Sequence, residues 1–140
     1  MSSPIIKDSE IQAFPYLQAV VREGLRMWPP TLGLGSKQVP KGGDTICGYF
    51  VPEGTQIAGN FSGITRLKSI WGQDADVFRP ERWLEAEQEG EEMFKMLCSV
   101  LDLDFGSGKY QCLGKRIAMM ELGKVFAEVS TPPVYGDRTC

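Results

Sequence analysis

The alternation of apolar and polar residues predicts two principal helices, one near each end of the chain. From Tyr16 onward, apolar side chains recur at steps of three and four residues, as in an amphipathic helix: Leu17, Val20, Val21, Leu25 and Trp28. Pro15 suits the first turn of this helix, and Pro29-Pro30 ends it. A second apolar segment, from Leu113 to Val129, continues with a helical repeat and predicts the other helix.

The segment between these helices predicts short strands, turns and loops. Residues 45–51 and 55–58 are β-prone, and Pro52-Glu53-Gly54 between them has turn chemistry. Residues 60–67 suggest a short helix and 9–12 a capping box, whereas 74–83 suggest irregular backbone. We expect long irregular loops, and residues 68–83 and 85–104 are stretches that are hard to order without a bound cofactor or a further domain. The pattern therefore predicts a mainly α-helical α+β fold with a small β-sheet.

The composition narrows the classes of function. With 140 residues and a formal net charge of −3, the chain suits one modest domain and argues against a nucleic-acid surface. The acidic run over residues 85–92 is expected to be a solvated loop or helix. The first residues lack the apolar core of a signal peptide, and no apolar run could span a bilayer. We therefore expect neither a membrane anchor nor a secretion signal in this chain.

The cysteines and the absence of histidine restrict the metal chemistry. Cys47, Cys98, Cys112 and Cys140 form no C-x-x-C pair, so an ordinary zinc site is not predicted. Unpatterned cysteines fit a reducing compartment better than a disulfide scaffold. Without histidine, the chain has no histidine-based catalytic triad and no imidazole ligand for haem.

One cysteine lies in a glycine-rich loop directly before the second helix. The loop reads Phe105-Gly106-Ser107-Gly108-Lys109-Tyr110-Gln111-Cys112-Leu113-Gly114. Its glycines let the backbone approach a flat group, and the unpaired amides of a first helical turn favour a thiolate at Cys112. With Phe105 as an aromatic wall, that thiolate suits a soft metal, above all haem iron. The alternative is a small buried hydrophobe, which is the commoner role of an isolated cysteine.

Two further patterns carry charge. Glu23 and Arg26 lie three residues apart on the first helix, so they share one face of it. They form either a solvated surface pair or a buried ion pair that locks the scaffold. Phe78-Arg79-Pro80-Glu81-Arg82-Trp83 is either a plain surface loop stiffened by proline or part of the same scaffold.

These motifs resemble those of the cytochromes P-450. Phe105, Gly108, Cys112 and Gly114 match the haem-binding loop of that family, and residues 15–30 resemble its K helix. Residues 78–83 match its aromatic-x-Pro-x-Arg-aromatic segment. The resemblance runs from about residue 14 to 129 and is closest to fungal microsomal members, with a divergent tail at 130–140. We therefore expect residues 1–140 to form the C-terminal, proximal part of the P-450 fold, with K-type and L-type helices.

The resemblance implies specific roles for these residues. Cys112 would be the axial thiolate ligand of haem b (iron protoporphyrin IX), and it is the only residue expected to take part in catalysis. Other contacts with the haem are expected from Phe105, Gly106, Gly108, Lys109, Tyr110, Gly114 and Lys37. Glu23, Arg26 and Arg82 would form a structural triad that serves folding and haem retention.

The chain departs from the family at two positions that bear on haem binding. Tyr110 stands where members usually have Arg or His to pair with a haem propionate, and Thr65 stands where His is common. Lys37 is then the basic residue expected to reach a propionate. Tyrosine supplies no positive charge at neutral pH, so we expect weaker binding of the propionates.

The function implied by the resemblance is that of a haem-thiolate monooxygenase. It would oxidise a small organic substrate with O₂, with electrons from NADPH-cytochrome P-450 reductase, at the cytosolic face of the endoplasmic reticulum. The distal helix and most substrate-recognition segments would precede Met1, so we expect the 140-residue chain alone to be inactive. The alternatives are a non-catalytic remnant with weak or no haem binding and a small metal- or protein-binding module.

Overall fold

The computed structural model describes residues 6–30 and 36–130. Within these ranges the helices are α1 (Asp8–Ile11), α2 (Pro15–Met27), α3 (Phe61–Ile64), α4 (Lys68–Trp71), α5 (Glu81–Glu89), α6 (Glu91–Asp102) and α7 (Lys115–Ser130). The strands are β1 (Lys37–Gln38), β2 (Asp44–Ile46), β3 (Tyr49–Val51) and β4 (Gln56–Ile57). Short 3₁₀ helices cover Leu103–Phe105 and Gly108–Tyr110. The mainly α-helical class is confirmed, whereas Cys140 and nearly all of the divergent tail lie outside the described residues.

Helix α2 is the central element of the packing, in contact with α5, α6 and α7. It begins at Pro15 and ends at Met27, which confirms the predicted helix. Trp28, predicted as its last apolar position, lies outside the helix with φ −130° and is 65% exposed. Pro29 disfavours helical backbone at the preceding residue, which explains the difference. The Trp28 ring instead lies beside Phe78, with ring centroids 6.1 Å apart.

Two tryptophans fill the core between α2, α4, α5 and α6. Trp71 and Trp83 are both buried, with ring centroids 5.5 Å apart and planes tilted by 59°, an arrangement that aromatic pairs favour. The other buried members of this core are Ala19, Val21, Leu25, Ala75, Ala86, Leu97 and Leu101. Trp71 belongs to α4 and Trp83 to α5, so their packing against α2 and α6 fixes the segments on either side of residues 72–80.

Residues 85–104 form helix rather than the poorly ordered loop that we expected. Helices α5 and α6 cover almost all of this segment. Ala86, Leu97 and Leu101 are buried in the core, and this amphipathic packing orders the segment in spite of its charge. The carboxylates of residues 85–92 lie on the exposed side, as predicted. The 74–83 segment is irregular only to Pro80, because α5 begins at Glu81.

Residues 45–51 form a hairpin rather than one strand. Strands β2 and β3 pair antiparallel with Thr45 opposite Phe50, and Cys47-Gly48 is the turn between them. Cys47 has φ 51° and Gly48 has φ 85°, and two positive values are typical of a type I′ turn. The prediction of a single strand was therefore wrong. Strand β4, as predicted within 55–58, pairs with β1 in a second two-stranded sheet.

The ends of the described chain meet through α1 and α7. Helix α1 begins at Asp8, and Glu10 accepts a hydrogen bond from the N–H of Lys7 at 2.8 Å, so Lys7 rather than Ser9 is the N-terminal cap. Helix α7 confirms the second predicted helix. A Cβ at Gly123 would lie 2.9 Å from Ile11, so the glycine permits close packing of α7 on α1. Within the described ranges, none of the helices has the length and apolar character needed to cross a bilayer.

Candidate haem-thiolate site

The glycine-rich loop before α7 closes on itself. The N–H of Cys112 donates a hydrogen bond to the carbonyl of Phe105 at 2.7 Å, so the two ends of the loop are adjacent. Gly106 makes this closure possible, with φ 74° and no side chain. A Cβ there would lie 2.6 Å from the carbonyl oxygen of Tyr110. The closed loop therefore holds Cys112 three residues before Lys115, where α7 begins.

The thiol of Cys112 is free and exposed. A Cβ built at Gly114 would lie 3.7 Å from the Cys112 sulfur, so the glycine leaves space beside it. The side chain is not enclosed by aliphatic neighbours, which removes the alternative of a small buried hydrophobe. A free, accessible sulfur with open space beside it fits a ligand to a soft metal.

Phe105 lies between the loop and the core. Its half-buried ring packs against the buried cluster of the helices, and the ammonium of Lys115 lies 6.0 Å from the ring centroid. Lys115 also pairs with Asp102 of α6 at 2.6 Å. These contacts anchor both ends of the loop to the helical core.

An open hollow of about 560 Å³ lies beside the loop. Among the residues predicted to contact haem, Lys37, Gly106 and Tyr110 line it. The others, Phe105, Gly108, Lys109, Cys112 and Gly114, lie outside its lining. Phe61 and Asp104 also line the hollow, and burial raises the pKa of the Asp104 carboxyl to about 6.

The triad suggested by the sequence comes together in the core. Arg26 donates two hydrogen bonds to the Glu23 carboxylate, at 2.9 and 2.8 Å, and Arg82 donates one at 3.0 Å. Glu23 and Arg26 have no exposed surface, and Arg82 is 5% exposed. Trp83 Nε1 and the backbone N–H of Arg79 complete the donors to Glu23, at 3.0 and 2.8 Å.

The Glu23 carboxylate is ionised by its donors. Burial alone would raise the pKa of Glu23, but the hydrogen bond and charge of Arg26, with donors from Arg79 and Arg82, hold the pKa below its ordinary value. The carboxylate therefore remains a charged acceptor at neutral pH.

The two guanidinium groups extend the cluster to the backbone of the irregular segment. Arg26 donates to the carbonyls of Thr65, Ala75 and Val77 at 2.8, 2.6 and 3.0 Å. Arg82 donates to the carbonyls of Trp71, Asp74 and Val77 at 2.8, 3.1 and 3.2 Å. The cluster thus joins α2 and α5 to a segment that has little regular structure of its own.

Three charged residues that surround this cluster, Asp74, Arg79 and Glu85, were not predicted from the sequence. Asp74 accepts from Arg79 at 2.6 Å and lies 3.4 Å from Arg82, while Arg79 also forms two hydrogen bonds with Glu85. Asp74, Arg79 and Glu85 are five and six residues apart, which matches no helical spacing. No periodic signal could therefore have identified them.

The loop geometry makes a direct prediction for Gly106. Alanine there is expected to reduce the free energy of unfolding by about 1–3 kcal/mol more than alanine at Gly108, because its Cβ would collide with the Tyr110 backbone. Gly108 is the matched control, with φ 57° and no atom within 4 Å of the added Cβ. Urea unfolding of both variants measures the difference. Equal losses would show that the loop does not depend on this close approach.

Residues 3–129 match the model of the family described as cytochrome P-450. This chain belongs to the cytochrome P-450 family. It is 43% identical to cytochrome P-450 monooxygenase ABA1 of Pyricularia oryzae, over 89% of this chain and 24% of the relative. It is 46% identical to cytochrome P-450 monooxygenase aba1 of Botryotinia fuckeliana, over 92% of this chain and 25% of the relative. It is 39% identical to pisatin demethylase of Fusarium vanettenii, over 89% of this chain and 24% of the relative.

The chain spans about a quarter of the length of these P-450 relatives. The family implies a haem cofactor, and the residues of the loop fit one. Gly114 leaves room beside the free sulfur of Cys112, and a hollow lies next to the same loop. Within the described residues, no group of three or more Cys, Asp or Glu side chains could hold a metal ion instead.

Proposed function

We propose that this chain is the C-terminal segment of a haem-thiolate monooxygenase in which Cys112 would supply the thiolate that holds the haem iron. The observation that carries the proposal is the free, exposed thiol of Cys112, held before α7 by the closed loop of a P-450 family member. When bound, haem supplies activation of O₂, and the electron density of a thiolate ligand favours cleavage of the O–O bond.

The protein's own residues would hold the ligand and shape its surroundings. The hydrogen bond from the Cys112 N–H to Phe105 fixes the backbone that carries the sulfur. Gly114 leaves the adjacent space open, and Lys37 and Tyr110 present polar groups to the hollow. The buried Glu23 cluster would keep α2 and α5 in place. The hydrogen-bond partners given above for its side chains include no residue of the cysteine loop. Its role is therefore scaffolding.

The substrate and the electron source are also proposals. The relatives named above include a pisatin demethylase, which is consistent with oxidation of a small organic molecule. Electrons would come from NADPH through cytochrome P-450 reductase at the cytosolic face of the endoplasmic reticulum. The share of the relatives that this chain spans supports the further proposal that the 140 residues alone lack turnover.

The test is a titration of the purified chain with ferric haem, followed by reduction and addition of carbon monoxide. We expect saturable uptake at a single site and the red-shifted Soret band of thiolate ligation in the reduced complex. The same titration of Cys112→Ala, which lacks the sulfur, serves as the control. Non-saturable uptake, or a band without the thiolate shift, would contradict the proposal and favour a non-catalytic remnant.

A further inference from the structure

An ion pair joins the two helices on either side of the cysteine loop. The Nζ atom of Lys115, the first residue of α7, lies 2.6 Å from a carboxylate oxygen of Asp102, the last residue of α6. The Lys115 side chain is 25% exposed and that of Asp102 is 46% exposed, so water screens the pair only in part. The loop that carries Cys112 runs between these two residues and is therefore closed at its base by opposite charges.

Both charges stand at helix ends where the backbone dipole disfavours them. The C-terminal end of α6 carries partial negative charge, yet Asp102 adds a carboxylate there, and the last turn of α6 holds no basic residue. The N-terminal end of α7 carries partial positive charge, yet Lys115 adds an ammonium there, and the first turn of α7 holds no acidic residue. Local helix stability therefore accounts for neither residue, and such departures are typical of functional positions.

The ammonium of Lys115 lies at the end of α7 that carries Cys112. The N–H of Lys115 donates a hydrogen bond to the carbonyl of Cys112 at 3.4 Å. The Nζ atom lies 6.0 Å from the ring centroid of Phe105, whose carbonyl accepts the hydrogen bond from the Cys112 N–H. Lys115 thus adds its charge to the positive end of the helix, beside the backbone that holds the sulfur.

The two charges act in opposite directions on a neighbouring thiol. Cys98 of α6 is half-buried, and this burial is the main reason that the pKa of its thiol is raised. Asp102 raises that pKa further, whereas Arg22 and Lys115 lower it. The effect of the pair therefore extends beyond its own contact, as expected where screening by water is incomplete.

We propose that Lys115 is a positioning residue whose charge raises the reduction potential of the iron bound at Cys112, and that Asp102 moderates this effect. The inference rests on the proposed function. Reduction of ferric to ferrous haem adds one electron and lowers the positive charge at iron by one. A nearby ammonium therefore favours the reduced form, and a nearby carboxylate favours the oxidised form.

The experiment measures the midpoint potential of the haem-bound chain by titration with dithionite, which supplies the electron, in the presence of redox dyes. Lys115→Gln and Lys115→Met should lower the potential, and Asp102→Asn should raise it. Each should change the ferrous-to-ferric ratio at a fixed solution potential by about three- to fivefold. Lys115→Arg keeps the charge and should keep the potential. Lys124→Gln is the matched control, because it removes a lysine of the same helix about 14 Å further along.

The sign of each shift separates an effect of charge from an effect of structure. Lys115→Gln and Asp102→Asn break the same ion pair, so a tie that only holds the loop would move the potential in one direction in both variants. Urea unfolding checks that the two variants lose similar stability. Shifts of the same sign, or a shift in Lys124→Gln as large as that in Lys115→Gln, overturn the inference.

Failure of the proposed function has a different result. If the reduced carbon monoxide complex of the unaltered chain lacks the thiolate spectrum, both the iron ligand and the role of Lys115 are overturned. If that spectrum is present and the two potentials do not shift in opposite directions, Cys112 is upheld and only the role of Lys115 is overturned.

Discussion

Replacing Glu23 with glutamine is expected to lower the free energy of unfolding by about 3–5 kcal/mol. Glu23 is fully buried and pairs with two guanidinium groups, so its loss leaves Arg26 as a buried charge without a carboxylate and Arg82 with only Asp74, 3.4 Å away. Glutamine keeps the shape and one acceptor oxygen but removes the charge. A domain is commonly stable by only about 5–15 kcal/mol, so this loss is a large share of the total. Urea unfolding followed by tryptophan fluorescence measures it, since Trp83 contacts the carboxylate.

The matched control is Glu91→Gln on α6. Glu91 pairs with Lys95 at 2.6 Å, but both side chains are more than two-thirds exposed, so the loss should not exceed about 0.5 kcal/mol. A small effect at Glu23, similar to that at Glu91, would show that the buried cluster does not hold α2 and α5 together.

Replacing Cys112 with serine is expected to abolish the thiolate-type spectrum of the haem-bound chain. Serine is nearly the same size, but its hydroxyl is a hard, weakly acidic ligand that does not replace a thiolate on iron. Loss of a residue that only supports a metal ligand commonly lowers metal affinity by about 10–100-fold. Loss of the ligand itself should lower haem affinity by more than that. The reduced carbon monoxide spectrum and a haem titration give both results.

Cys47→Ser is the control for this substitution. Cys47 is also free and exposed, but it lies in the β2–β3 turn, whose position is fixed by the pairing of the two strands. Its replacement should leave the spectrum and the haem affinity unchanged. An unchanged spectrum in Cys112→Ser, or a loss in Cys47→Ser, would assign the iron ligand to a residue other than Cys112.

The parts of the fold set by local periodicity could be read from the sequence. The apolar stripe of α2, its start at Pro15 and the helix after Cys112 all follow from spacing and from proline geometry. Glu23 and Arg26 share a face for the same reason. The meeting of this pair with Arg82 came from the family resemblance and not from spacing, because the partner lies far along the chain.

The parts that depend on non-local packing could not be read in the same way. The β2–β3 hairpin could not be recognised within the β-prone run, because its turn requires a positive φ at Cys47. Few residues other than glycine adopt a positive φ. Helices α5 and α6 were masked by their acidic residues, although burial of Leu97 and Leu101 orders them. Likewise, the contact of Lys37 with Tyr110 joins a strand to a loop, and no motif relates their positions.

X-ray absorption at the iron edge of the haem-bound chain shows whether Cys112 is the iron ligand, because it detects the atoms bonded to the metal. We expect a sulfur scatterer at bonding distance from iron in the unaltered chain and in Cys47→Ser, and none in Cys112→Ser. A first shell of nitrogen and oxygen alone in the unaltered chain, or a sulfur that persists in Cys112→Ser, would contradict the assignment of Cys112 as the ligand.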